Sequence, residues 1–101
     1  MRPCQKITKQ LLPAVRMSLA IELSRRGMTE QEIAKGLGIA QATISKYLTG
    51  NVSKSISELC KEISEKEQIG EIADKITKGE NAEKEIDALC ENLAGMHASQ
   101  Y

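Results

Sequence analysis

The chain has 101 residues and a mass of 11.1 kDa, enough for one domain with a modest extension. Its 14 Lys and Arg balance 14 Asp and Glu, a neutrality that taken whole argues against a nucleic-acid binder. The balance is a cancellation: residues 1–54 hold nine basic and three acidic side chains, a net of +6, and residues 55–101 hold five and eleven, a net of −6. Such asymmetry between halves points to a nucleic-acid surface on the basic side. No apolar run approaches the roughly 18 residues of a membrane span. The N-terminus Met1-Arg2-Pro3-Cys4-Gln5-Lys6 lacks the apolar core and cleavage site of a secretory signal, so a cytoplasmic location is expected. Aromatic residues are limited to Tyr47 and Tyr101, leaving Leu, Ile, Val, Ala and Met to build the core. Two prolines amid many Glu, Lys, Ala, Leu and Ile make an all-α fold the expectation.

In chain order, residues 5–12 read as a short amphipathic lead with Ile7, Leu11 and Leu12 as apolar members. Pro13 suits the first turn of a new helix, where its missing N–H costs nothing. That helix should run to Arg26, with Gly27 as its stop. Leu12, Val15, Leu19 and Leu23 form one stripe, widened by Met17, Ala20 and Ile21, so burial on more than one side is expected.

Residues 28–50, MTEQEIAKGLGIAQATISKYLTG, are the most informative. Thr29 with Glu32 three residues on is a capping box, which starts a helix at Glu30. Ile33, Ala34 and Leu37 share its inner face, and Gly36 and Gly38 should end it within two turns. A second helix follows over Gln41–Leu48, with Ile44 and Leu48 as its buried pair and Tyr47 flanking. Gly50-Asn51 closes the unit as a turn.

This segment resembles the helix-turn-helix of DNA-binding regulators. The resemblance has physical content. Two short helices crossing steeply need a small residue at the crossing, Ala34, and a turn residue that tolerates positive φ, Gly38. Apolar residues Ile33, Leu37, Ile39, Ile44 and Leu48 lock both helices to the preceding one. The outer, N-terminal face of the second helix carries Gln41, Ala42, Thr43, Ser45 and Lys46. An amide can bond an adenine edge bidentately, a Lys can donate to guanine, and small methyl groups can pack on the thymine methyl. No acidic residue occurs from Gln41 to Lys54. Gln41, Ala42, Thr43 and Lys46 are therefore expected to read bases, and Ser45, Thr49, Asn51 and Lys54 to lie nearer the phosphates. Ala40 stands where a Ser or Thr cap is preferred, at a cost of about 1 kcal/mol.

Arg2-Pro3-Cys4, Leu12-Pro13-Ala14-Val15-Arg16 and GLGIAQATISKYLTG, with the later Ile69-Gly70-Glu71-Ile72-Ala73-Asp74-Lys75-Ile76 and Gly79-Glu80, extend the likeness across most of the chain. They resemble small archaeal transcriptional regulators of the XRE, lambda-repressor-like kind, and are similar to the DNA-binding domain fused to thiamine-phosphate synthase in some archaea. The resemblance implies a double-stranded-DNA-binding regulator, often dimeric. Two departures are Ala40 in place of a hydroxyl cap, and the lack of the enzyme-like ligand domain of the fused members. A thiamine-phosphate effector is therefore not carried over, and the effector stays unassigned.

Residues 55–101 repeat an apolar i, i+3, i+4, i+7 pattern three times: Ile56, Leu59, Cys60, Ile63; Ile69, Ile72, Ala73, Ile76; and Ile86, Leu89, Cys90, Leu93. Each is one face of an amphipathic helix, with limits near 53–66, 67–78 and 82–96 set by Ser53, Gly79-Glu80-Asn81 and Gly95. The division expected is a helix-turn-helix region over 1–54 and an acidic helical region over 55–101, packed as one unit. The stripes exceed what one small core needs, so part of them is expected to meet a second copy, placing two recognition helices about 34 Å apart. A monomeric bundle of five or six helices is the plainer alternative.

Cys60 and Cys90 occupy stripe positions, where free Cys acts as a small hydrophobe. No CxxC or CxxH pair supplies metal-ligand spacing, so neither metal nor cofactor is expected. The sharper alternative gathers Cys4, Cys60 and Cys90 around an iron–sulfur cluster or into a thiol switch. His97 reads as a solvated side chain near the C-terminus. No nucleophile–base pair, phosphate-cradling glycine loop or paired carboxylates suggest an enzyme. The main alternative to a DNA-binding regulator is a helical adaptor that docks protein.

Overall fold

A computed structural model describes residues 3–98, with side-chain surroundings defined over 9–95. It holds six helices and, among the described residues, no strand: α1 (Pro3–Arg25), α2 (Glu30–Leu37), α3 (Gln41–Thr49), α4 (Lys54–Ser64), α5 (Glu67–Thr77) and α6 (Glu83–Ala98). Helix α1 is the axis, and each of the other five packs against it. Leu11, Val15, Leu19 and Leu23 follow one another at four-residue spacing and are 0–1% exposed. Ala14, Met17 and Ala20 are buried on its other sides, so burial on several faces is as expected. Ala14 and Ala20 let neighbouring helices approach the axis closely.

The break expected at Pro13 is absent: α1 is one helix with Pro13 inside it. A mid-helix proline loses one backbone hydrogen bond and costs about 3 kcal/mol or more. Here Leu11, Ala14 and Val15, on both sides of it, are all within 1% of complete burial. Continuation of the helix is what places them together in the core, and that packing offsets the local cost. Gly27, at φ 95°, ends the following turn, as its position suggested.

The three apolar stripes of the acidic half also turn inward. Cys60 and Ile63 of α4, Ile69, Ile72, Ala73 and Ile76 of α5, and Ile86, Leu89 and Leu93 of α6 are buried. Ile56, Leu59 and Cys90 sit half-buried at their margins. Much of the surface expected to meet a second chain is thus covered by α1 of the same chain. The Cα radius of gyration is 13.1 Å, close to the ~13 Å of a compact chain this long.

Two polar ties hold α1 to the acidic half. Ser18, 1% exposed, reaches α4: its Oγ lies 3.1 Å from the Cys60 carbonyl oxygen and 3.3 Å from Cys60 Sγ. The Ser64 hydroxyl lies 3.2 Å from Ser18 Oγ and 2.7 Å from the same carbonyl. Each hydroxyl has one proton, so a relay from Ser64 to Ser18 to the carbonyl satisfies the buried group. At the other end of α1, Arg26 donates from Nε to Glu22 at 2.9 Å, from Nη1 to Asp74 and from Nη2 to the Gly70 carbonyl. These carboxylates raise the Arg26 pKa further, the Asp74 hydrogen bond foremost.

Helix limits agree with the sequence reading to within two residues for α4, α5 and α6. Ser53 caps α4 by accepting from Ile56 N–H at 3.3 Å. Asn81 Oδ1 accepts from Glu83 N–H at 2.8 Å, closing the entry to α6.

Candidate nucleic-acid interface

The helix-turn-helix geometry begins at the capping box. Thr29 Oγ1 accepts from Glu32 N–H at 3.2 Å, and Glu32 Oε1 accepts from Thr29 N–H at 2.9 Å. The second bond holds the Glu32 carboxyl below its ordinary pKa, the Thr29 backbone being the main cause. Helix α2 ends at Gly38, in the left-handed region at φ 69°, ψ 32°, with its N–H on the carbonyls of Ala34 and Lys35. Ile39 N–H then bonds the Ala34 carbonyl at 3.1 Å, fixing the turn into α3. Ile33 at 0% and Ala34 at 8% exposure seat α2 in the core.

Gly36 does not end α2, contrary to expectation. It lies inside the helix, and a Cβ there would stand 2.8 Å from Ile76 Cγ2. Its lack of a side chain is what lets α2 approach α5. Gly38 alone supplies the stop.

Helix α3 starts at Gln41 behind Ala40, which has the extended backbone of a cap but offers no side-chain bond. Its anchors are Ile44 at 0% and Tyr47 at 8% exposure, while Leu48 is only half-buried. The expected pair was Ile44 and Leu48. Tyr47 displaces Leu48 because residues three apart share a helix face as readily as residues four apart, and the ring fills more space. Burial raises the Tyr47 hydroxyl pKa, with nearby Arg16 opposing it. Gly50, at φ 76°, closes α3, and Asn51 N–H bonds the Lys46 carbonyl at 2.8 Å.

With the inner face so committed, the structure turns the remaining α3 side chains outward. Gln41, Ala42 and Lys46 are exposed, and Thr43 and Ser45 are half-buried on opposite flanks. Thr49, Asn51 and Lys54 are exposed at the end of α3, in the connection and at the first position of α4. Thr49 is less free than its exposure suggests: its hydroxyl bonds the Ser45 carbonyl at 2.9 Å, with the Lys46 carbonyl at 3.2 Å. Neither Lys46 nor Lys54 takes part in an ion pair among the described residues. The first turns of α3 and α4 hold no acidic residue, whereas those of α2, α5 and α6 do. The positive ends of α3 and α4 are therefore not neutralised by carboxylates of their own.

Among the described residues no group of three His, Cys, Asp or Glu is placed to hold a metal ion. Cys60 is buried and Cys90 half-buried, both as free thiols. Burial chiefly, and Asp87, raise the Cys90 pKa against the opposing effect of Arg16, the reverse of a reactive thiolate. The side chains of Cys4, Ile7 and His97 lie outside the described residues, as does Tyr101. No described helix is long and apolar enough to cross a membrane.

Comparison with known proteins gives one match. Residues 20–61 fit the helix-turn-helix family model, HTH_3, a family of DNA-binding regulators that is generally non-enzymatic. Searches of curated proteins and of solved structures each returned no match. The matched stretch runs from late α1 through the capping box, the Gly38 turn and α3 into α4. The likeness to the helix-turn-helix family thus covers residues 20–61 of the 101.

Proposed function

We propose that the chain is a sequence-specific DNA-binding transcriptional regulator that lays α3 in the major groove. Gln41, Ala42, Thr43 and Lys46 face the base edges, and Ser45, Asn51 and Lys54 face the phosphates. Thr49 joins them only if its hydroxyl leaves the Ser45 carbonyl. The observation that carries this reading is the outer surface of α3 on a helix-turn-helix scaffold. It presents an amide, small side chains and an unpaired ammonium with no carboxylate among them. A protein-docking helix would need an apolar stripe there, and the apolar residues of α3 point inward.

The chain acts as a homodimer in this reading, since helix-turn-helix readers pair to span two half-sites. It works in the cytoplasm without a bound metal or cofactor. The narrower kinship, to archaeal regulators related to the fused thiamine-phosphate synthase domain, rests on the quoted sequence likeness. Light scattering after gel filtration tests the dimer: a species of about twice 11.1 kDa is expected, and a persistent monomer both free and on DNA overturns it. Fluorescence anisotropy with duplex DNA, titrated against salt, tests the binding itself.

A further inference from the structure

Where α2 meets the acidic half, the helices leave a groove of about 740 Å³, within the range of about 300–1,000 Å³ typical of small-molecule sites. Its floor is apolar and drawn from four helices and a turn. Leu12 of α1, Met28 of the α1–α2 turn and Leu37 of α2 are half-buried there, beside the buried Ile76 of α5 and Ile86 of α6. Met28 adds a side chain that adapts its shape to a guest.

The rim is negative. Glu32, Glu80, Glu83 and Asp87 line it against Arg16 and Lys35, four carboxylates to two cations. Glu32 is committed to the capping box, but Glu80, Glu83 and Asp87 are exposed and take part in no ion pair among the described residues. The C-terminal ends of α2, at Gly36-Leu37, and of α5, at Ile76-Thr77, also border the groove, and each brings the negative end of a helix dipole. The start of α6 borders it too, with Glu83 in its first turn to offset the positive helix end, so apolar floor, negative rim and two helix C-termini favour one ligand class.

We propose that this groove binds a small organic cation with an apolar body, such as a hydrophobic ammonium compound. The body lies on Leu12, Met28 and Leu37, and the charge is held by Glu83 and Asp87 with Glu80 nearby. The site involves α2, whose opposite packing carries α3, but the proposal stands whether or not α3 reads DNA. Its test is made without DNA.

The probe is tetraphenylphosphonium, with the neutral triphenylphosphine oxide as its shape control, each titrated calorimetrically into the full chain. The cation should bind at least about tenfold more tightly than the oxide, a preference that surface-proximal Coulomb attraction readily supplies. E83Q/D87N should weaken the cation by about tenfold and leave the oxide unchanged, while K35Q should tighten it. E58Q/E62Q, which neutralises exposed acids of α4 outside the groove, should change nothing. Thermal melts of each variant confirm folding. No saturable binding of the cation, equal binding of the two probes, or an equal loss in E58Q/E62Q would overturn the proposal.

Discussion

Gln41 and Lys54 have different tasks if α3 enters the major groove, and substitution separates them. Gln41→Ala removes an amide able to bond a base edge, so it should cost about 1–3 kcal/mol on the preferred site and relax selectivity there. Lys54→Ala removes a phosphate contact, so it should weaken all duplexes alike and reduce the slope of log K against log salt by about 1. Anisotropy titrations on preferred and scrambled duplexes read both. Gly36 carries a prediction about packing. Gly36→Ala gains up to about 1 kcal/mol of helix propensity but sets a methyl 2.8 Å from the branched Ile76 side chain. Ile76 is 4% exposed and has little room to yield, so overpacking of about 1–3 kcal/mol should prevail. A lowered melting temperature is the expected outcome. Two glycines near the end of α2 suggest a shared stop, and only the position of α5, which sequence periodicity does not give, reveals Gly36 as a contact.

Among elements, α3 and α5 start without a side-chain cap bond, and α3 also lacks an acidic residue in its first turn. Ala40 already has the backbone of a cap, φ −65° and ψ 143°, but no side-chain oxygen to use it. Ala40→Ser should supply that oxygen and raise stability by about 1 kcal/mol, read as a higher denaturant midpoint with an unchanged slope. Capping box, glycine stops and amphipathic stripes were legible because each is a local rule between residues up to four apart. The continuity of α1 was not, because Pro13 breaks a helix locally and only the surrounding helices reward its continuation. The same limit explains the stripes of α4, α5 and α6. Periodicity shows that an apolar face needs cover; it does not show that α1 is long and apolar enough to cover all three. At α3 the outward set was legible, but the bond between Thr49 and the Ser45 carbonyl was not.

At the scale of the whole molecule, the opposed charges of the two halves meet at few direct contacts among the described residues. Lys75 of α5 and Glu85 of α6 pair at 3.1 Å within the acidic half, and Arg26, which also pairs with Glu22 of its own half, reaches across to Asp74. Hydrogen bonding to Lys75 chiefly holds the Glu85 carboxyl below its ordinary pKa, as the capping box does for Glu32. A depressed carboxyl stabilises the fold above its unfolded pKa and ceases to do so as pH falls through the folded value. Melting temperature should therefore hold through neutral pH and decline on acidification below about 4.3, the ordinary glutamate value. Glu32→Gln, which keeps an acceptor for the Thr29 N–H but cannot ionise, should remove the Glu32 part of that dependence. The basic half carries α3 and the free lysines of the interface, and the acidic helices pack on the same axis. The most direct test of α3 as a reader of DNA is selection of bound duplexes from a random library at stepped salt concentrations. The expected result is an enriched inverted repeat, with half-sites about 10 base pairs apart or a multiple of it and affinity falling steeply as salt rises. Recovery of unselected sequence at every salt concentration would contradict it.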